Sequence, residues 1–151
     1  MRTATVALLA LLPLALGCGP DLPQDWIGAE LVETLDQSAC ETEDPYEGHM
    51  EDITAEGREG AVDVTYLGAH FRCSQEVEAY WMHDAHEIQV LVQPVEMDPD
   101  TVAGCDCLYE IWLRVEPIEA DTWQISLWRR WDNQNDPNDP VAIGTESVVV
   151  Q

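Results

Sequence analysis

From Cys105 to Val115 every second residue is apolar or a cysteine: Cys105, Cys107, Tyr109, Ile111, Leu113 and Val115 share one face, and Asp106, Glu110 and Arg114 fall on the other. A period of two is the pattern of a strand buried on one side, and an amphipathic helix does not produce it. The alternation recurs along the chain after Gly60. Ala61 to Leu67 sets Val62, Val64 and Tyr66 against Asp63 and Thr65; Gln75 to Met82 aligns Val77, Ala79 and Trp81; Glu87 to Gln93 aligns Ile88, Val90 and Val92. Thr122 to Trp131 aligns Trp123, Ile125 and Leu127, and Thr145 to Val150 is rich in valine. Short strands separated by turn residues predict an all-β fold, a β-sandwich of six or seven antiparallel strands of immunoglobulin or fibronectin-like type, with a small barrel as the alternative.

Ahead of Ala61 the pattern is different. Between Asp25 and Gln37 the apolar residues Ile27, Leu31 and Leu35 recur every four, which predicts a short helix with Asp25 as its cap. Residues 41 to 60 are acidic and nearly aperiodic, which predicts a loop or an irregular edge. The segment 25–60 is therefore expected to be a helix or irregular, and 61–151 to be the sandwich domain.

The first 17 residues are of another kind. Arg2 precedes the apolar run Val6 to Leu16, too short to span a bilayer as a helix and the right size for the core of an export signal. It leads into Ala15-Leu16-Gly17-Cys18, which resembles the lipobox cut by lipoprotein signal peptidase. Residues 1–17 are thus expected to be a lipoprotein signal peptide, Cys18 the lipidated residue, and 18–24 an extended tether containing Pro20 and Pro23. Cysteine parity agrees. Of 5 cysteines, setting Cys18 aside leaves Cys40, Cys73, Cys105 and Cys107, an even set suited to an oxidising compartment. Taking 17 residues from 151 leaves 134, enough for one domain with a real core. The expected location is the bacterial cell envelope, anchored by lipid in the outer membrane.

Charge narrows the partners. The chain has 30 acidic residues against 6 arginines and no lysine, a net charge of −24. Such a field repels phosphate backbones, so nucleic acid is excluded, as is a polybasic contact with anionic lipid; cations and basic partners are not.

Cys105 and Cys107 point the same way on one strand, so a bond between them would be strained. Two connectivities remain, in which each of them pairs with one of Cys40 and Cys73. The alternative is a metal site made by Cys105, Cys107 and His83 or His86, which an oxidising compartment disfavours.

The run Cys105-Asp-Cys107-Leu-Tyr109-Glu-Ile111-Trp-Leu113-Arg-Val115, then Ile118 and Trp123-Gln-Ile125-Ser-Leu127, with Cys73 upstream, resembles a family of small bacterial lipoproteins with an immunoglobulin-like sandwich. The resemblance covers residues 62 to 131. The chain lacks the third clustered cysteine of many members, and its loop from Glu116 to Asp121 lacks their glycine. What the resemblance implies is the sandwich and the pairing of Cys73 with Cys105, which leaves Cys40 for Cys107. It carries no catalytic residues.

Catalysis is not expected on other grounds as well. Ser38, Ser74, Ser126 and Ser147 stand in no nucleophile-elbow context, and carboxylate pairs are uninformative in so acidic a chain. His83-Asp84-Ala85-His86-Glu87 falls at a turn between two strands and reads as a solvated polar turn, with a divalent metal as the alternative. Asp132, Gln134, Asp136 and Asn138, with Asp139 beyond them, alternate as oxygen ligands of a calcium loop would, although Pro137 replaces the glycine and Ile143 the closing glutamate. No other cofactor is expected. Finally, strands 105–115 and 122–131 are read as one antiparallel hairpin centred near Glu119. That register places Trp112, Arg114, Trp128 and Arg130 on a single outward face, with Trp112 opposite Ser126. Either the segment 25–60 covers this face or it is a platform for a protein or glycan partner. Together these readings predict a lipid-anchored binding or structural module held to the membrane through Cys18.

Overall fold

The computed structural model describes residues 21–41, 48–95, 104–131 and 139–151. After one 3-10 turn at Gln24–Trp26, nine strands follow: β1 Glu30–Leu31, β2 Thr34–Gln37, β3 Asp52–Arg58, β4 Ala61–Arg72, β5 Val77–Asp84, β6 Glu87–Pro94, β7 Asp106–Val115, β8 Thr122–Arg129 and β9 Val141–Val149. They form an all-β sandwich of a five-stranded sheet, ordered β1-β5-β6-β8-β9, and a four-stranded sheet, ordered β2-β7-β4-β3. Every pairing is antiparallel except β6 with β8, which is parallel. The run β3-β4-β7 keeps the A-B-E order of an immunoglobulin sheet, but in the opposite sheet β6 is inserted between the strands that would be C and F.

The alternating residues do what their period requires. Val62, Val64, Tyr66, Ile111, Leu113 and Val115 from one sheet meet Ile88, Val90, Trp123, Ile125 and Leu127 from the other in a single buried cluster. In β4 the alternation is interrupted at Gly68, whose φ of +63° suits a bulge, and the pairing with β7 shifts between Tyr66 and Ala69. Ala69 and Phe71 face the core as a result.

The sandwich has two distinct ends. At one lie the β3–β4 turn at Gly60, the β5–β6 turn at Ala85, the connector from Glu116 to Asp121 and the C-terminus; Ile118 N–H donates to the Gly60 carbonyl and Gly60 N–H to that of Gln151. At the other, β6, β8 and β4 end and β7 begins. Both disulfides, Cys40–Cys107 and Cys73–Cys105, lie at this second end, with the Cys107 and Cys73 sulfurs 3.4 Å apart.

Three expectations are corrected. The stretch Asp25 to Gln37 is no helix: Gly28, at φ +97°, turns the chain into β1 and β2, where Val32 is buried while Ile27 and Leu31 are 75% and 53% exposed. An isolated helix this short is weak, and pairing with β5 and β7 offers its backbone groups better partners. Residues 52–58, expected to be loop or irregular edge, form β3, so the sandwich begins well before Ala61 and has more strands than foreseen. Strands β7 and β8 are not a hairpin but face each other from opposite sheets, joined by a connector that folds Ile118 into the end of the core. Alternation tells which face of a strand is buried, not whether its neighbour lies beside it or across the core.

β3 was faint in the sequence because its inward residues taper from Ile53 to Ala55 to Gly57. The taper follows from how closely β9 approaches: a Cβ on Gly57 would sit 2.0 Å from the Val149 carbonyl oxygen, and one on Gly144 3.2 Å from Ile53 Cγ1. Gly57→Ala should therefore force β3 and β9 apart and cost about 3 kcal/mol in urea unfolding, an overpacking penalty at the upper end of the usual range. A loss too small to measure would mean that the C-terminal strand does not lie against β3.

Candidate functional site

Five arginines fall in the described residues, and each is engaged within the fold. In a chain with no lysine, their positions show where charge is used.

Arg58 and Arg114 flank Asp63 on the outer face of the four-stranded sheet. Arg114 donates from Nε to Asp63 Oδ1 at 2.7 Å and from an Nη to Oδ2 at 3.1 Å, a two-pronged contact; Arg58 Nε adds a bond to Oδ2 at 3.0 Å. The Arg114 guanidinium also lies 5.4 Å from the centre of the Trp112 ring. Arg114, then Arg58, holds the Asp63 carboxyl below its ordinary value of 3.8 against the opposing effect of burial.

Arg129 is part of a tighter network at the disulfide end of the core. One oxygen of Glu51 accepts from the Tyr66 hydroxyl and, at 3.2 Å, from the His70 N–H, while Arg129 Nε makes an ionic contact with it at 3.0 Å. Tyr66 and His70 belong to β4 and Arg129 to β8, so this carboxylate ties one sheet to the other. Burial, then Glu51, pushes the Tyr66 phenol far above its usual range. Trp131 closes the network: the Arg129 and Arg72 guanidiniums lie 5.5 and 5.9 Å from its centre, and the His70 ring 4.8 Å away. Desolvation holds the His70 imidazole below its ordinary value of 6.5, outweighing the carboxylate of Asp106, whose Oδ2 lies 3.5 Å from His70 Nε2.

These two depressed groups contribute to the acid response. Below pH about 6.5 the unfolded chain takes up a proton at His70 that the folded protein resists, so stability falls as pH drops through that region. Asp63 contributes stability above about 3.8 that is lost as pH falls through its lower folded value. Urea unfolding between pH 7 and 3 should show both declines, with His70→Gln removing the first and Asp63→Asn shrinking the second. A stability flat from pH 7 to 5 in the parent protein would contradict the His70 assignment.

Arg130 fastens the N-terminal segment. Its Nη1 donates to the Asp21 carbonyl at 2.6 Å, and Gln93 Nε2 donates to the same oxygen at 3.2 Å and to Glu78 Oε1 at 3.0 Å. Gln93 is 1% exposed and so depends on these partners. Beside Glu78, burial pushes the Tyr80 phenol up to about 12. Trp26 is buried, and with Pro23 and Asp25 it lines a cleft over Met82, Gln89 and Trp128.

At the opposite end a groove of about 520 Å³ is lined by His83, Ala85, Pro117, Ile118, Glu119 and Trp123. The His83 and His86 rings lie 5.8 and 6.0 Å from the buried Trp123, and His86 Nδ1 is 3.2 Å from Asp121 Oδ2. Among the described residues no three His, Cys, Asp or Glu side chains converge as a metal site.

No family model, no curated protein and no solved structure matches this chain.

The structure does not bring the expected platform together. Trp112 and Arg114 lie on the outside of the four-stranded sheet, where Trp112 is paired with Asp36 and Thr65, whereas Trp128 belongs to the other sheet, Arg130 directly follows β8, and both meet the N-terminal segment. A metal site made by Cys105, Cys107 and His83 or His86 is ruled out by geometry, since both cysteines are bridged at one end and both histidines lie at the other. Of the calcium-loop residues, Asp132, Gln134, Asp136 and Asn138 lie outside the described residues. Asp139 accepts from the Trp131 N–H at 3.1 and 3.2 Å. Residues 1–20, with the signal segment and Cys18, also lie outside them. Sequence reasoning missed Glu51, Tyr66, Arg129 and Gln93. The available signal was Arg129 at an inward position of β8, two residues beyond Leu127, where a charge on a buried face demands a partner.

Proposed function

We propose that this protein is a lipid-anchored module of the bacterial cell envelope, a disulfide-stapled sandwich that binds or organises a partner rather than catalysing a reaction, anchored through acylated Cys18 in the outer membrane. The observation that carries the reading is the cysteine arithmetic. Four of the five cysteines bond to one another within the sandwich, so Cys18, at the end of an apolar run, has no cysteine left to pair with. Two bridges in one small domain also fit an oxidising compartment. The C-x-C strand supports kinship with small envelope lipoproteins of immunoglobulin-like fold. With every described arginine engaged internally and a net charge of −24, a partner would be a neutral or basic protein or a glycan, met on the open outer face around Trp112 or in the His83–Trp123 groove.

Cys18→Ser tests the anchor. The variant should lose fatty-acid label and move from the membrane pellet to the soluble fraction while its far-ultraviolet spectrum and melting temperature stay those of the parent. A variant that still labels and still pellets would overturn the assignment.

A further inference from the structure

The two disulfides touch. Cys107 Sγ lies 3.4 Å from Cys73 Sγ, so the bridges Cys40–Cys107 and Cys73–Cys105 form a row of sulfurs in the order Cys40, Cys107, Cys73, Cys105. Reacting atoms poised for displacement stand about 3 to 3.5 Å apart. Cys40 and Cys105, at the ends of the row, are exposed residues, whereas Cys107 is 1% exposed. At the Cys40 end a cleft of about 430 Å³ opens, lined by Cys40 with Ser38, Ser74, Gln75, Glu76 and Tyr109. Hydrogen bonds that do not depend on the bridges hold this frame. Gln37 Nε2 donates to the Gln75 carbonyl at 2.9 Å, and Gln37 Oε1 accepts from the Val77 N–H at 3.1 Å. The Ser38 and Glu41 N–H groups donate to the Glu110 and Leu108 carbonyls at 2.9 Å. Across the cleft the Tyr109 hydroxyl donates to the Arg72 carbonyl and accepts from the Ser74 N–H, both at 3.1 Å. Opening Cys40–Cys107 therefore leaves Cys40 on the edge of β7 and Cys107 against Cys73. Cys73 lies just past β4 and Cys105 just before β7, beyond the last paired residues, so Cys73 has room to shift as its sulfur closes from 3.4 Å to the ~2.0 Å of a bond.

We propose that Cys40 is a thiol-exchange site at which the protein captures a partner's cysteine covalently, and that the second disulfide makes the capture last. The partner's thiolate enters the cleft and attacks Cys40 Sγ, forming a mixed disulfide and expelling Cys107 as a thiolate. Cys107 then attacks Cys73 Sγ, forming Cys73–Cys107 and expelling Cys105, which takes up the proton that the incoming thiol gave up. One thiol enters and one appears at the exposed far end of the row. The number of disulfide bonds is unchanged, so the exchange needs no oxidant or reductant. Rebonded to Cys73, Cys107 no longer stands beside the mixed disulfide as the nucleophile that would reverse it. Glu76 in the cleft and the net charge of −24 repel an anionic thiol, so the partner's cysteine belongs to a neutral or basic segment. The exchange depends on the sandwich alone and is independent of the anchor at Cys18.

The test uses the chain carrying Cys18→Ser, in which every remaining cysteine is bridged. Cysteamine, a small cationic thiol, is added without denaturant; the reaction is quenched in acid, alkylated with N-ethylmaleimide and mapped by peptide mass. The single-adduct species should carry cysteamine on Cys40, maleimide on Cys105 and a new Cys73–Cys107 bridge. At equal thiolate concentration it should form several-fold faster than the adduct of glutathione, an anion. With Cys73→Ala and Cys105→Ala added, the adduct on Cys40 should accumulate several-fold less, because Cys107 remains to reverse it. Maleimide on Cys107 with Cys73–Cys105 intact, or equal accumulation in that variant, would overturn the relay. Cysteamine on Cys105 would overturn the entry site, and equal rates for the two thiols the choice of a neutral or basic partner. Adducts that appear only once urea has unfolded the chain would overturn the whole proposal and leave the bridges as staples alone.

Discussion

Replacing Cys40 and Cys107 together by alanine should lower the unfolding free energy by about 4 kcal/mol, the value expected from closing a loop of this length in the unfolded chain. The bridge spans 67 residues and joins the edge of β2 to β7, while Cys73–Cys105 spans 32 and lies within that loop. Removing the inner pair as well should cost slightly more than removing it alone, because the outer bridge, while it stands, already restricts the loop nested inside it. The single substitution Cys40→Ala gives a sharper result. It leaves a thiol at Cys107 whose sulfur lies 3.4 Å from that of Cys73, already within reach of the remaining bridge. Thiol–disulfide exchange should then distribute the free thiol between Cys107 and Cys105. Alkylation and peptide mapping would show both positions labelled; label confined to Cys107 would mean that the bridges are not neighbours.

Glu51→Ala should cost about 3 kcal/mol, the usual penalty for removing one partner of a buried ion pair. The side chains of Glu51 and Arg129 are only 16% and 14% exposed, so the guanidinium left behind has little water to turn to. The same change strips the Tyr66 hydroxyl, on a residue with no exposure, of its acceptor. Tyr66→Phe in the Glu51→Ala background should therefore restore part of the loss, since an absent hydroxyl costs less than an unsatisfied one. Losses that simply add would show that the three groups do not form one network.

The strands in which every second residue is large and apolar were legible in the sequence, and β7 is the plainest of them. What was not legible depended on neighbours. β3 hides behind Ile53, Ala55 and Gly57 because β9 passes too close for larger side chains. Asp25 to Gln37 mimics a helical stripe although its buried residues are Trp26 and Val32, and the preference is decided by sheet edges that lie far away in sequence. The four residues of the expected platform were separated by one error, placing β8 beside β7 rather than across the core. Glu51 could not have been found by period or motif: it precedes β3, and only the meeting of β4 with β8 gives it a role.

The most direct measurement is the mass of the N-terminal peptide of the protein recovered from membranes. Lipidation predicts that the chain begins at Cys18 and that this peptide carries acyl mass on its cysteine, with residues 1–17 absent. A chain cleaved elsewhere, or an unmodified Cys18 on the membrane-bound protein, would contradict it.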